Sequence, residues 1–393
     1  MLKLAVFSHT VVLALIATLH TCNAAIYNVV NFGAKADGVT DSSSAFLKAW
    51  VAACSSTEQS TIYVPRGTFL VNSIAFNGAC KRKMQLQISG GLVAPYNYKS
   101  FLSDQAWITF EYVNGLSVVG GAIDARGSSY WECKKSGANC PFGARSFSFQ
   151  SCNDVEINGL TSHDSHAVHV FINGCNNMRI QDLTIVAPGD SPNTDGIHIG
   201  NSNNISVSHA NIATGDDCIS IGPGTTHMYM DHIVCGPGHG ISIGSMGGGP
   251  GEGGVEHIVV NNTIFTRTDN GVRIKTWAKP FNGYARDIKF DNLQMQNVSN
   301  PIIIDQEYCP ERNCPNGNSE VKLSDVTFYN ITGTSGTQDA LVLICSWTKP
   351  CEQIYLQDIH LTYITPMAKK QLATSRCENA RVISTGLVIP HCN

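Results

Sequence analysis

Charge is scarce in this sequence. Only 14% of its 393 residues are Asp, Glu, Lys or Arg, and the formal net charge is −4. Long solvated helices need more charge than that. The lack of a basic surplus excludes a surface that draws in polyanions as a whole. No nucleic-acid partner is therefore expected, and any anionic ligand must be held by a local basic patch. Beyond the N-terminus no stretch is long and apolar enough to span a bilayer, so no membrane partner is expected either. Paired Cys-x-x-Cys motifs are also missing, which removes the usual signature of a zinc site.

What is present begins with a leader. Lys3 supplies a positive end, Val11 to Leu19 is largely apolar, and Cys22-Asn23-Ala24 offers small or polar residues before a cleavage point. Residues 1–24 read as a signal peptide and 25–393 as a single secreted domain. Fifteen cysteines include Cys22, so fourteen remain, an even number that suits disulfides in an oxidising compartment. Neighbour pairing is the simplest reading: Cys54 with Cys80, Cys133 with Cys140, Cys152 with Cys175, Cys218 with Cys235, Cys309 with Cys314, Cys345 with Cys351 and Cys377 with Cys392. The sequence leaves connectivity open. Sequons at Asn204, Asn261, Asn297 and Asn330 are candidate glycan sites.

The chain repeats itself. Asp195, Asp217 and His239 are separated by 22 residues and again by 22, and each precedes by two positions a near-copy of one strand. The copies are Ile197-His198-Ile199-Gly200, Ile219-Ser220-Ile221-Gly222 and Ile241-Ser242-Ile243-Gly244. Strand starts of this register recur at Phe149, Phe171, Ile197, Ile219, Ile241, Val272, Ile302 and Leu341. A second register runs through Val155, Met178, Ile205, Met228, Ile258, Ile288, Val321 and Ile354, and a third through Leu183 and Leu293. Asn176-Asn177 and Asn203-Asn204 mark corners, where positive φ is tolerated. Three short strands per repeat without crossover helices predict a right-handed parallel β-helix, and a β-propeller repeat is about twice as long. A helix from about Ser42 to Cys54, capped by Asp41, should cover the first coil. The tail from Thr365, with Cys377 and Cys392, reads as a disulfide-pinned end cover. Longer spacings after Ile241, Val272 and Ile302 imply loops that wall one side of the column.

Adjacent rungs of such a helix lie about 4.8 Å apart. Asp195 and Asp217 then sit roughly one rung apart, with Asp216 beside them and His239 on the next rung. A single aspartate before a strand usually bonds only backbone amides. Three carboxylates on adjacent rungs repel one another and raise at least one pKa, which a purely structural role does not require. Arg273 and Lys275 alternate with Ile274 and share one strand face. Carboxyls in different protonation states are the equipment of glycoside hydrolysis, and the two cations point to a uronic acid polymer.

These motifs resemble those of the polygalacturonases, glycoside hydrolase family 28, from Phe32-Gly33-Ala34 through Asp305-Gln306-Glu307-Tyr308-Cys309. The resemblance implies a right-handed parallel β-helix that hydrolyses α-1,4 bonds between galacturonates with inversion and without a metal or organic cofactor. Residue by residue, it implies Asp216 as general acid, Asp195 and Asp217 as the pair that activates water, and His239 as support for the acid's protonation. Asn193, Arg273, Lys275 and Tyr308 correspond to substrate-binding positions. Lys349-Pro350-Cys351-Glu352 and Pro390-His391-Cys392 are similar to the plant exo-acting, pollen-associated branch. Exo action needs one end of the cleft blocked, and the Ser128 to Ser146 insertion is the candidate; endo action is the alternative. Pectin in the cell wall is the expected substrate, and the chain is expected to act as a secreted monomer.

Two other clusters have plainer readings. His163, His166 and His169, spaced by three on a strand-turn segment, do not converge as they would on a helix, and read as surface or subsite histidines near the cleft. The glycines from Gly247 to Gly254 lack the strand–loop–helix context of a nucleotide loop and read as a surface loop. Two rival functions stay open: a calcium-dependent pectate lyase, and a pectin-binding wall protein without catalysis.

Overall fold

The computed structural model describes residues 25–101, 106–310, 314, 316–365, 367 and 369–392. Residues 1–24, the expected leader, lie outside them. The chain winds into the right-handed parallel β-helix that the periodicity predicts, with one sheet of 20 strands and one of 11. Among the described residues no helix is long and apolar enough to cross a membrane.

The 11-stranded sheet carries the site. Ile197, Ile219, Ile241, Val272, Ile302 and Leu341 pair one after another across it, and all are fully buried. Burying one such side chain contributes about 1.5–3 kcal/mol. The column therefore fixes register, because a slip of one residue would turn every isoleucine outward. The intervening residues His198, Ser220, Ser242 and Arg273 form a second aligned row on the opposite face.

Three expected register positions are displaced. Val170 rather than Phe171 aligns with Ile197, and Phe147 rather than Phe149 aligns with Val170. Both residues of each choice are apolar, so hydrophobicity alone did not discriminate between them. Phe171 faces outward, where its ring stacks on His198 at 5.3 Å. In the second register Val326, not Val321, continues the line of Ile288 and Ile354.

The corners explain the asparagines. Asn177 and Asn204 have φ of 57° and 56°, and Asp154, His227, His257 and Asp287 occupy the same left-handed region. Short polar side chains tolerate this conformation because they bond locally. Here they also bond along the stack: Asn204 donates to Asn177 at 2.8 Å, and Asn177 donates to Asp154 at 3.1 Å.

The two ends differ. A helix, Ser43–Cys54, covers the first coils with Ala45, Phe46, Ala49, Trp50 and Ala53 buried. Ser42 is its N-cap but makes no side-chain cap bond; the Asp41 carboxylate accepts from the Ser43 N–H at 3.0 Å instead. At the other end Thr374–Glu378 and Ala380–Ile389 extend the two sheets as a further coil. The tail is thus part of the repeat rather than only a cover, although Cys377–Cys392 does pin it.

Six of the seven expected disulfides form. Cys152 and Cys175 do not bond to each other; both are free and fully buried. Each sulfur lies within bonding reach of backbone, and Cys175 Sγ accepts from the Cys152 N–H at 3.3 Å. They act as small core residues, one on each of two successive coils.

His166 and His169 are buried core residues rather than surface or subsite groups. His166 packs against Phe101 and Tyr130, and His169 Nδ1 lies 2.8 Å from Ser162 Oγ. Burial depresses their pKa values to about 4 and about 3. The glycine loop is tied down by Glu252, whose carboxylate accepts from the Gly247 and Gly249 N–H groups at 2.7 and 2.9 Å.

Candidate active site

The residues that precede the core isoleucines build the site. Gly215 approaches Ser191 so closely that a Cβ would meet the Ser191 carbonyl oxygen at 2.0 Å. Only glycine lets Asp216 and Asp217 sit against the turn that carries Asn193 and Asp195. Immediately after Asp217, the Cys218–Cys235 disulfide anchors the turn to the adjacent coil.

The 22-residue spacing does place equivalent groups in equivalent settings. Asp195 Oδ2 accepts from Ser220 Oγ at 2.7 Å, and one coil later Asp217 Oδ1 accepts from Ser242 Oγ at 2.8 Å. The third member of the series differs. His239 turns to Asp216, with Nδ1 3.0 Å from Oδ1, while its Nε2 lies 3.4 Å from Asp269 Oδ2. Asn193 Nδ2 reaches Asp216 Oδ2 at 3.5 Å, and the Asp217 N–H donates to Asp216 Oδ1 at 2.8 Å.

Arg273 and Lys275 share a face as expected, and both are spent on Asp217. Arg273 Nη2 donates to Oδ1 at 2.9 Å and Lys275 Nζ to Oδ2 at 2.8 Å. Arg273 Nε also donates to Ser242 Oγ at 3.0 Å. Tyr308 stands over them, its ring centre 5.3 Å from Lys275 Nζ, and Trp277 meets that ring edge-on. A cavity of about 290 Å³ brings together Asn193, Asp195, Asp216, Asp217, Lys275 and Tyr308. All the expected site residues except His239 and Arg273 line it, and those two bond directly to aspartates that do.

The electrostatics make the three carboxyls unequal. Burial, then the charges of Asp216 and Asp217, push Asp195 up to about 8. Burial also works to raise Asp216, but the hydrogen bond and charge of His239 outweigh it and hold Asp216 below the ordinary carboxylate range. His239 is raised in turn, chiefly by its bond to Asp216. An imidazolium with carboxylates at both nitrogens uses both of its donors. With Asp216 lowered and His239 raised, the one proton of the pair rests on His239 while Asp216 is ionised.

Asp216, Asp217 and His239 bring ligand atoms within 4.8 Å of one another, the single such group among the described residues. Its chemistry is poor for a cation. Both Asp217 oxygens already accept from cations, and the other carboxylate is bonded to His239.

Sequence reasoning missed four participants: His198, Ser220, Ser242 and Asp269. His198 Nδ1 lies 2.8 Å from Ser220 Oγ, which itself holds Asp195. A signal for the first three existed in the quoted strands, since the residue between two core isoleucines must face the other way. Asp269 belongs to a later coil and carries no such mark.

The model of the glycosyl hydrolases family 28 matches residues 54–385. A polygalacturonase of Prunus persica is 45% identical over 93% of this chain and 92% of its own length. An exopolygalacturonase of Arabidopsis thaliana is 40% identical over 94% of this chain and 88% of its own. In fold, the chain is similar to an exopolygalacturonase from Thermotoga maritima, with a TM-score of 0.73, 18% identity, and 92% and 90% of the two chains covered.

Proposed function

The chain belongs to the glycosyl hydrolases family 28, and on that premise we propose that it hydrolyses α-1,4 bonds between galacturonate residues of pectin, with inversion and from a chain end. The observation that carries this reading is the Asp216–His239 pair, 3.0 Å apart, set beside Asp195 and an ion-paired Asp217 in one cleft.

Asp216 is the general acid. The pair's one proton passes from His239 Nδ1 through Asp216 to the glycosidic oxygen as the bond to the anomeric carbon breaks, leaving Asp216 ionised and His239 neutral. On the opposite side a water is held between Asp195 and Asp217. With Asp195 raised to about 8, it keeps its proton in mildly acidic solution, so Asp217 accepts the proton from the attacking water. Arg273 and Lys275 keep Asp217 in place, and Lys275 and Tyr308 line the cleft with Asn193. The glycosidic C–O bond breaks, a C–O bond to the water oxygen forms, and the cycle closes when Asp217 releases its proton and the Asp216–His239 pair takes one up.

Cleavage from an end is supported by the 128–146 insertion. Its helix, Ser128–Lys135, is closed off by Cys133–Cys140 and linked to Asp190 through Lys135 at 2.6 Å. Asp190 lies just before Asn193 and Asp195, so the insertion walls the cleft next to the carboxyls. Both polygalacturonase and exopolygalacturonase are names borne by its relatives. Six disulfides support a secreted, extracellular enzyme, which we read as a monomer acting in the cell wall.

The product profile on polygalacturonate tests this reading. Monomer should appear alone from the first time point, with new reducing ends and no absorbance from a new double bond. A ladder of oligomers means internal cleavage, and a chelator-sensitive unsaturated product means a lyase.

A further inference from the structure

The expected uronate-binding cations, Arg273 and Lys275, both bond to Asp217. A third cation near the site is not committed in this way. Arg145 is half-buried, and among the described residues it makes no ion pair; its guanidinium instead lies 3.7 Å from the centre of the Phe171 ring. Burial lowers its pKa, so this charge sits in a partly desolvated place without a counter-ion. An arginine is held there at an electrostatic cost that an anionic ligand would relieve.

Arg145 lines a cavity of about 450 Å³ that also holds Tyr130, Lys134 and Phe142 of the 128–146 insertion. This cavity adjoins the carboxyl-lined one, and the two share Asn193, Asp195 and His198. It is therefore a chamber between the catalytic carboxyls and the insertion. Phe171 is sandwiched, with Arg145 on its ring and its other contact a 10° stack on His198 at 5.3 Å. That packing holds the guanidinium against the ring, and a guanidinium suits a bidentate bond to a carboxylate.

We infer that Arg145 is a specificity residue: it binds the carboxylate of the terminal galacturonate in the chamber closed by the insertion, on the side of Asp195 away from Tyr308. The inference rests on the end-cleaving reading and adds what the closed end recognises. A sugar without its carboxylate leaves Arg145 buried and unpaired, so the chamber selects uronate over neutral hexose.

Two measurements on the full enzyme test this. The first uses unaltered protein on trigalacturonate and on trimers carrying galactose at one end or the other. At one end only, loss of the carboxylate should lower kcat/KM about 10- to 100-fold, the range for a lost charge-assisted bond. The second uses Arg145→Gln, checked by its melting curve. Its KM for trigalacturonate should rise by a similar factor, kcat should change much less, and the preference for uronate at that end should collapse; Arg145→Lys should recover part of it. Equal rates on all three trimers would overturn the inference, whether or not Arg145→Gln folds. So would a folded Arg145→Gln enzyme that keeps its KM and its preference. Oligomers released from polygalacturonate by unaltered protein would instead overturn the end-cleaving reading, so the two failures are distinguishable.

Discussion

Asp216 Oδ1 and His239 Nδ1 lie 3.0 Å apart, joined across neighbouring coils. Each shifts the other: Asp216 is lowered and His239 is raised. The one-proton form of the pair therefore persists from below the ordinary carboxylate range to above the ordinary histidine range. Replacing His239 by Asn removes the upper end of that window. Asp216 then holds the proton alone, raised by burial but without the imidazole that carried the window past the ordinary histidine range. The alkaline limb of kcat/KM should move down by at least about one pH unit, and kcat at pH 6 should fall about 10- to 1000-fold. An unmoved alkaline limb would show that the pair does not hold the catalytic proton.

Asp195 supplies a stability test. Its folded pKa, about 8, lies above the ordinary value of 3.8. A raised folded value means stability that is fully present below about pH 4 and is lost as pH rises toward 8. Asp195→Asn removes the titration. At pH 7 the variant should be more stable than the unaltered enzyme by roughly 1–3 kcal/mol, after allowance for solvent screening of a half-buried group. The difference should vanish near pH 4. Denaturant melts at the two pH values check this, and an equal difference at both would refute it.

Lys275 is only 7% exposed and donates to Asp217 at 2.8 Å. Lys275→Met leaves Asp217, itself 1% exposed, with one cation instead of two. Breaking a buried ion pair from one side costs about 3–5 kcal/mol. The melting midpoint should drop accordingly, and activity should fall even below that midpoint, because Asp217 loses its position. A variant with unchanged stability would mean that the two ion pairs contribute little.

Much of this was legible in the sequence, and the gaps have physical causes. Ile197, Ile219 and Ile241 gave the register because each is separated from the next isoleucine by one polar residue, His198, Ser220 or Ser242. Val170 and Phe171 did not, because two adjacent apolar residues give alternation nothing to choose by. The equal spacing of Asp195, Asp217 and His239 pointed to the candidate site. It did not reveal that His239 would pair with Asp216, since spacing fixes backbone position and not side-chain direction. Nor did a shared face for Arg273 and Lys275 show that both would be committed to Asp217, which depends on contacts made across three coils.

Cys152 and Cys175 give a simple chemical check on the core. The chain from residue 25 should show two free thiols when unfolded, with none reacting in the native state, because both are fully buried. Titration with a thiol reagent before and after denaturation measures this. No free thiol after denaturation would mean a seventh disulfide.

The central assignment is Asp216 as the acid, and one variant tests it most directly. Asp216→Asn keeps the shape of the side chain and removes its proton donor. Hydrolysis of trigalacturonate by the variant should fall by at least about a thousandfold, within the range for loss of a general acid, while calorimetric binding of the same trimer stays within about threefold of the unaltered enzyme. Turnover near the unaltered rate, with binding intact, would contradict the assignment and move the acid to Asp195.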